Sequence, residues 1–401
     1  MRRAVIVDMV RTPFCRADEE KGWLSKFRSD DLAVTLIKEL IRRHHVDPKQ
    51  VDEVIIGCAN PRGIQASPAR NITLLSGLPF EVASLSMERA CISSMSSVHT
   101  AAMSILCGMG DIYFAGGIES MTRFRIAKFS SDKPPTPEEY ERQTGRVMNP
   151  RLPEIVDLRA MGMGMTAEKM SQVFQVPRLE QDKWGLRSNV LADRAYRAGK
   201  FKEEIIPIEI EEQGQKKIID RDQEIRPDST LGKISTLPTP FNPTGGSVNA
   251  ANSSKESDGA AVALLMSEQK AKELGLKPLA YINYLATTGV DPTIMGYGAT
   301  IAAKKVLQKS GMPASDIGLW EINEAFAVVV LVAIRELGIK NAEECVNVNG
   351  GACAIGHPVG ASGARITGTL AREMVRRNIK YGLASICGGM GQGGALILEK
   401  Y

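Results

Sequence analysis

The chain has 401 residues, of which 43% are hydrophobic, a length greater than one ordinary domain and ample for a large buried core. Its 50 Lys+Arg against 46 Asp+Glu give a net charge of +4, which supplies neither a basic field for nucleic acid nor an acidic tail. No run of about 18 apolar residues would span a membrane, the opening MRRAVIVDMVRTPF has no signal-peptide core, and Glu399-Lys400-Tyr401 is not a peroxisomal tripeptide, so a cytoplasmic protein is expected.

In chain order, strand-like apolar runs over residues 4–10, 54–57 and 112–115 alternate with helical segments such as 31–43, where Asp30 or Asp31 reads as an N-cap. That alternation is α/β. Residues 121–255 are polar and Pro-interrupted, the texture of loop-rich elaboration between two regular halves. Alternation resumes at about residue 279 and continues to the end. The halves resemble each other. The turn and strand at 46–57 recur at 312–323, displaced by 266 positions, and the helix opening at Cys91 recurs at Ser362, displaced by 271. A duplicated α/β unit with the polar block inserted is the organisation these offsets predict.

The seven cysteines form no C-x-x-C and no Cys/His zinc spacing, so neither disulfides nor a structural metal is expected. Each is a buried apolar residue or a reactive thiol. Cys91 opens a small, apolar helix. There it is either a space filler or a thiol activated by the positive end of the helix dipole. His44 and His45 end a charged helix and read as solvated, while His99, eight positions after Cys91, is too far along the helix to reach it. His357 is held between Gly356 and Pro358 in a rigid loop, which suits a general base. Cys387 follows an apolar strand at the mouth of a glycine-rich run, where backbone N–H groups approach bound atoms. Asn323 ends the strand at 319–322; it reads either as an N-cap or as a group that fixes a water or an oxyanion.

Glycine is the compositional oddity. Residues 345–401 hold 12 of the 37 glycines. Gly350, Gly351, Gly356, Gly360 and Gly363 would shape the loop around His357, and Gly388, Gly389, Gly391, Gly393 and Gly394 would bring backbone donors to atoms reacting beside Cys387.

Taken together, the segments Arg11-Thr12-Pro13-Phe14, Gly116-Gly117-Ile118-Glu119-Ser120-Met121, Asn323-Glu324-Ala325-Phe326, Gly356-His357-Pro358 and Cys387-Gly388-Gly389 resemble the thiolase family over essentially the whole chain. The resemblance implies the thiolase fold, five α/β/α/β/α layers built from two duplicated halves. The N-terminal half would be 1–121 plus 256–276, an inserted loop domain over coenzyme A 122–255, and the C-terminal half 277–401. It implies Cys91 as the acylated nucleophile, His357 as its base and Cys387 as the acid/base for the departing carbanion and incoming thiol. Asn323, through a water, and His357 would bind one thioester oxygen, and the N–H groups of Cys91 and Gly389 the other. Ser254 would contact pantetheine and Arg226 the nucleotide. Coenzyme A enters as co-substrate, with no tightly bound cofactor and no metal. A homodimer or homotetramer is implied, with a hydratase/dehydrogenase subunit as a further partner.

Ser94 and Met390, with the run 291–298, resemble the thiolase subunits of fatty-acid oxidation complexes, and Thr122-Arg123-Phe124-Arg125 departs from the biosynthetic enzymes. The basic continuation to residue 158 reads as a solvated loop. The expected activity is thus cleavage of 3-ketoacyl-CoA by CoA. The alternatives are an acetyl-CoA C-acetyltransferase making acetoacetyl-CoA and, from another class, a non-catalytic acyl-CoA-binding or scaffold subunit.

Overall fold

The computed structural model describes residues 2–123, 149, 151–212 and 214–401. Strand β1 (Ala4–Arg11) is buried throughout, as a run apolar on both faces must be inside a covered sheet. After it come β2 (Cys15–Arg16), α1 (Ser29–His44), β3 (Glu53–Cys58), α2 (Pro68–Leu75), β4 (Ala83–Met87), α3 (Ser93–Leu106) and β5 (Ile112–Ser120). The intervening stretch carries α4 (Met163–Val173), α5 (Arg178–Arg197) and the antiparallel pair β6 (Ile208–Glu212) and β7 (Gln215–Ile219). The chain then returns as β8 (Ser257–Ser267). The remainder forms β9 (Ala280–Gly289), α6 (Tyr297–Ser310), β10 (Leu319–Ile322), α7 (Ala327–Glu336), α8 (Ser362–Arg377), β11 (Tyr381–Gly388) and β12 (Gln392–Lys400), besides short helical turns.

The two halves share one plan. In the first, β3 is parallel to β5, β5 antiparallel to β8, and β8 antiparallel to β1. In the second, β10 is parallel to β11, β11 antiparallel to β12, and β12 antiparallel to β9. Ser362 stands to Ser93, and Tyr381 to Ile112, at the same spacing of 269 positions. The spacing of 271 expected from sequence came from counting at Cys91, which belongs to a 3-10 turn before the helix. A short pairing of Val5 with Tyr281 and Ile6 with Ala280 joins the two halves' strands into one ladder.

Side-chain alternation along the strands makes the layers. On β8, Val262, Leu264 and Met266 pack with α1, while Ala261, Ala263 and Leu265 face the other way. On β12, Ala395 and Ile397 pack with α6 and α7, while Leu396 and Leu398 face inward. Between these inner faces lie α3, with Val98 and Ile105, and α8, with Ile366 and Leu370. The order is therefore outer helices, sheet, central helix pair, sheet, outer helices. Both central helices start at the same end of the core, and the candidate residues gather there.

Some local expectations differ. Helix α1 begins two or three residues earlier than the N-cap reading placed it: Arg28 is the N-cap, without a side-chain bond, and Asp30 and Asp31 lie in the first turn, where carboxylates favour the dipole. His44 is not merely solvated, because its Nε2 lies 2.8 Å from Oδ2 of buried Asp8. The basic stretch 122–158 falls largely on residues 124–148 and 150, which lie outside the described residues.

Candidate active site

Cys91 sits in the turn Ala90–Ile92 immediately before α3 and is 6% exposed. The turn is shaped from both sides. The Arg89 N–H donates to Ser93 Oγ at 2.8 Å, that hydroxyl donates to the Ala90 carbonyl at 2.6 Å, and the Ala90 N–H donates to Glu88 Oε1 at 2.8 Å. Ala90 is held at φ +46°, an uncommon conformation for a residue with a Cβ. Small side chains after Cys91 let the helix run buried between the sheets, so its N-terminal dipole bears on the thiol in a water-poor setting.

Cys387 ends β11 and is fully buried. Burial first, and the neighbouring Cys91 second, push its thiol well above the ordinary range. Cys387 is therefore a protonated thiol with a proton to give, close enough to feel a charge on Cys91. The hairpin that follows turns through Met390 and Gly391, both at positive φ. A Cβ at Gly388 would lie 2.8 Å from Ile92 Cδ1, and one at Gly389 would lie 3.5 Å from Ala90 Cβ. Glycine at 388 thus lets the hairpin close onto the Cys91 turn. Gly393 and Gly394 belong to β12 instead, and a Cβ at Gly393 would lie 1.9 Å from the Gly298 carbonyl. Gly391 meets Val290 O in the same way, at 2.3 Å. These three serve close packing rather than donation to a reacting group, contrary to the sequence reading.

His357 Nδ1 lies 2.6 Å from Ser362 Oγ, and that hydroxyl donates to the Pro358 carbonyl at 2.9 Å. With the Ser362 hydrogen committed, the network assigns the ring proton to Nδ1 and leaves the lone pair on Nε2. Nε2 is buried without a partner among the described residues. Burial, then the charge of Arg365, holds the imidazole down at about 3, so the ring is neutral and able to accept a proton. The loop is anchored to the other half. The Gly360 N–H donates to Glu119 Oε2 at 3.1 Å, and the Ala364 N–H donates to Ser94 Oγ at 3.0 Å.

Asn323 is fully buried, and neither its Oδ1 nor its Nδ2 has a partner among the described residues. Helix α7 starts at Ala327 with Phe326 at the N-cap, so the capping reading of Asn323 does not hold. Its backbone N–H donates to the Ser385 carbonyl at 2.9 Å, which sets it level with a residue two positions before Cys387. A buried amide with four unused bonding sites is rare in a native core and marks a place built for a bound group.

Residues 252–257 thread between these parts. The Ser254 N–H donates to the Ala325 carbonyl at 3.0 Å, and the His357 N–H donates to the Lys255 carbonyl at 2.9 Å. Arg226 lies outside the cluster: its side chain is 58% exposed and pairs with Glu224 at 3.2 Å.

Two residues the sequence reading passed over hold the site together. Glu119 accepts from Ala59 N–H, Asn60 Nδ2, Gln65 Nε2 and Gly360 N–H. Glu324 accepts from Trp184 Nε1, Ser188 Oγ, Asn347 Nδ2 and Cys353 N–H. The weak signal for both was an acidic residue at the end of a mainly apolar strand, Glu119 next to last in β5 and Glu324 just after β10. Among the described residues, no group of three or more His, Cys, Asp or Glu is placed to hold a metal, and no helix is long and apolar enough to cross a membrane.

Comparison with known proteins gives a consistent assignment. The family described as Thiolase, N-terminal domain matches residues 4–269, and Thiolase, C-terminal domain matches 276–400. A 3-ketoacyl-CoA thiolase of Marinobacter nauticus is 40% identical over 403 residues, covering 100% of this chain and 98% of the relative. One of Saccharophagus degradans is 42% identical with the same coverage. Among solved structures, the Bacillus anthracis acetyl-CoA acetyltransferase superposes with a TM-score of 0.86 at 37% identity, covering 100% of this chain and 99% of that one. Human mitochondrial 3-ketoacyl-CoA thiolase gives 0.87 at 33% identity, with the same coverage.

Proposed function

This chain belongs to the thiolase family, and from that premise we propose that it is a 3-ketoacyl-CoA thiolase, cleaving 3-ketoacyl-CoA with CoA into acetyl-CoA and a shortened acyl-CoA. Cys91 Sγ attacks the ketone carbon while His357 Nε2 takes the thiol proton. The C2–C3 bond then breaks, Cys387 protonates the departing acetyl-CoA carbanion, and an acyl thioester remains on Cys91. Cys387, now thiolate, deprotonates the incoming CoA thiol, whose sulfur displaces Cys91 and releases the shortened acyl-CoA. Breaking a C–C bond beside a ketone needs a polarisable nucleophile, an enolate sink and a proton donor. N–H groups of Cys91 and Gly389 are assigned to one thioester oxyanion, and His357 with a water on Asn323 to the other. Ser254 is assigned to pantetheine, and Arg226, from the rim, to the nucleotide of CoA.

The observation that supports this reading most is the meeting of two unlike thiols: Cys91 at a helix N-terminus and Cys387 kept protonated by burial beside it. Cys91→Ala is expected to abolish CoA-dependent cleavage of acetoacetyl-CoA, and incubation with acyl-CoA to leave an acyl group on Cys91 in the unaltered protein. Undiminished cleavage by the variant would overturn the proposal. A second reading, acetyl-CoA C-acetyltransferase, is favoured by the name of the Bacillus anthracis neighbour; cleavage rates over a ladder of ketoacyl lengths separate the two. A non-catalytic scaffold reading is opposed by the presence together of Cys91, His357, Cys387 and Asn323.

The proposal includes the organisation that goes with the activity. Residues 122–255 form the part that covers CoA, inserted between 1–121 plus 256–276 and the second half 277–401. The enzyme works in the cytoplasm, with a hydratase/dehydrogenase subunit as the partner to seek by pulldown. It self-associates through β4, which among the described residues pairs on one side only, with β3. Next to that free edge, Leu74, Leu75, Leu85 and Phe80 are exposed, Phe80 by 82%.

A further inference from the structure

Glu324 stands between Asn323 and Ala325, and the Ala325 N–H donates back to the Asn323 carbonyl at 3.0 Å, so Glu324 is the middle of a tight three-residue turn. Each end of the turn meets a residue assigned to the substrate. The first residue is Asn323 itself, set beside the Ser385 carbonyl, and the last accepts the Ser254 N–H at 3.0 Å. The Glu324 side chain is fully buried and fastened at four points. Its Oε1 accepts from Trp184 Nε1 and Asn347 Nδ2, both at 2.9 Å, and its Oε2 from Ser188 Oγ at 2.7 Å and the Cys353 N–H at 3.1 Å. Trp184 and Ser188 lie one turn apart on α5, which belongs to the stretch between the two halves. Asn347 reaches back to the strand end before the turn: its Oδ1 accepts the Ile322 N–H and its Nδ2 donates to the Ile322 carbonyl, both at 2.8 Å. Gly351 presses on the carboxyl as well, since a Cβ there would lie 2.3 Å from Glu324 Cδ. Burying a carboxyl is costly, and an apolar side chain would fill the same space without needing four partners. All four donors are neutral, so ion pairing does not account for it. What the four bonds share is that they hold the middle of one turn from three separate stretches of chain.

We propose that Glu324 is a positioning residue for the oxyanion site: pinned from α5 and from the loop that leads to His357, it holds the turn so that the Asn323 amide keeps its water against the thioester oxygen. The inference rests on the assignment of Asn323 to that water in the reading above. It gives α5 a part in the reaction through Trp184 and Ser188, both buried.

The test is a double-mutant cycle in kcat. Glu324→Gln keeps the shape of the side chain but turns an amide NH₂ toward groups that are themselves donors. Cleavage of acetoacetyl-CoA is expected to slow by on the order of 10², the usual result of misplacing a catalytic group by about an ångström. Asn323→Ala supplies the other side of the cycle. If Glu324 acts through Asn323, Glu324→Gln has no further effect once Asn323 is replaced, whereas a general loosening of the core would multiply with that loss. A full rate in Glu324→Gln, or losses that multiply in the double variant, would overturn the proposal. Should Glu324→Gln not fold, Ser188→Ala carries the same cycle. It removes one donor from Oε2 and is expected to slow cleavage about tenfold alone, the size of one hydrogen bond, and not at all beside Asn323→Ala. An unchanged rate in Ser188→Ala, or a loss that multiplies with that of Asn323→Ala, overturns the proposal equally. Asn323→Ala alone separates the two readings. Full activity in it removes the oxyanion assignment together with the positioning, and a slow Asn323→Ala beside an unimpaired Glu324→Gln removes the positioning alone.

Discussion

At the scale of single residues, the proposed reaction gives different work to two chemically identical groups that the fold places differently. Cys91 sits ahead of a helix N-terminus, where a thiolate is favoured; Cys387 sits at a strand end inside the core, where burial and the proximity of Cys91 hold the proton on. Pairs of titratable groups whose surroundings drive them apart identify acid and nucleophile. The assignment of Cys387 is checked by Cys387→Ser, which preserves shape and hydrogen-bonding reach but is a far weaker acid. Cleavage of acetoacetyl-CoA is expected to fall by about 10²–10⁴, the usual contribution of a positioned proton donor. Exchange of the acetyl-CoA methyl hydrogens with solvent deuterium should disappear, while Cys91 stays open to alkylation. Exchange persisting at the original rate in that variant would remove Cys387 from the proton-transfer role.

At the scale of elements, His357, the proposed base, is held by a clamp between the halves as well as by the helix that follows its loop. Glu119 at the end of β5 takes the Gly360 N–H from the His357 loop together with Ala59 N–H, on the same oxygen Oε2. A Cβ on Gly117 would lie 2.1 Å from the Gly360 carbonyl, so the loop and strand touch through bare backbone. Glu119→Gln replaces one acceptor oxygen with a donor that faces N–H groups. It should lower kcat by on the order of 10² through a misplaced imidazole, with KM little changed. It should also cost about 1–3 kcal/mol of stability for the unpaired buried groups. Steady-state kinetics beside a thermal melt measures both; unchanged kcat would show that the clamp is dispensable. What could be read from sequence follows the same division. Cys91, His357 and Cys387 were singled out from sequence because each sits in or beside a run of glycine or small residues that betrays its local backbone, and Asn323 because it directly follows an apolar strand end. Glu119 and Glu324 were not, because their partners are distant in the chain: Gln65 is 54 positions from Glu119, and Trp184 is 140 from Glu324. The α/β duplication was legible from two nearly equal offsets. The insertion of glycine for packing at 393 was not, since the Gly298 backbone it meets comes from another element.

At the scale of the whole molecule, the two sheets differ in how their outer edges end. Beyond β10 the edge is covered by a bridge between Trp320 and Val346, whereas β4 has nothing on its free side among the described residues and is exposed or half-buried at every position. A free, partly apolar edge is a template for another strand, and in a closed pair of copies the same patch meets itself across a two-fold axis. The strand leads straight into the turn that carries Cys91, four residues past Met87. Under the proposed self-association, pairing there would stiffen the Cys91 turn as well as hide Leu85 and Phe80. A double substitution, Phe80→Asp with Leu85→Lys, puts charge on that edge at positions already exposed in the single chain. Its effect on the folding of one copy should be within about 0.5 kcal/mol per site. Sedimentation is expected to show the unaltered protein as an oligomer and the double variant as a monomer, with kcat reduced in proportion to the loss of association. An oligomer that survives the two charges would place the contact on another face, and a monomeric variant with full activity would separate the Cys91 turn from the edge that leads into it.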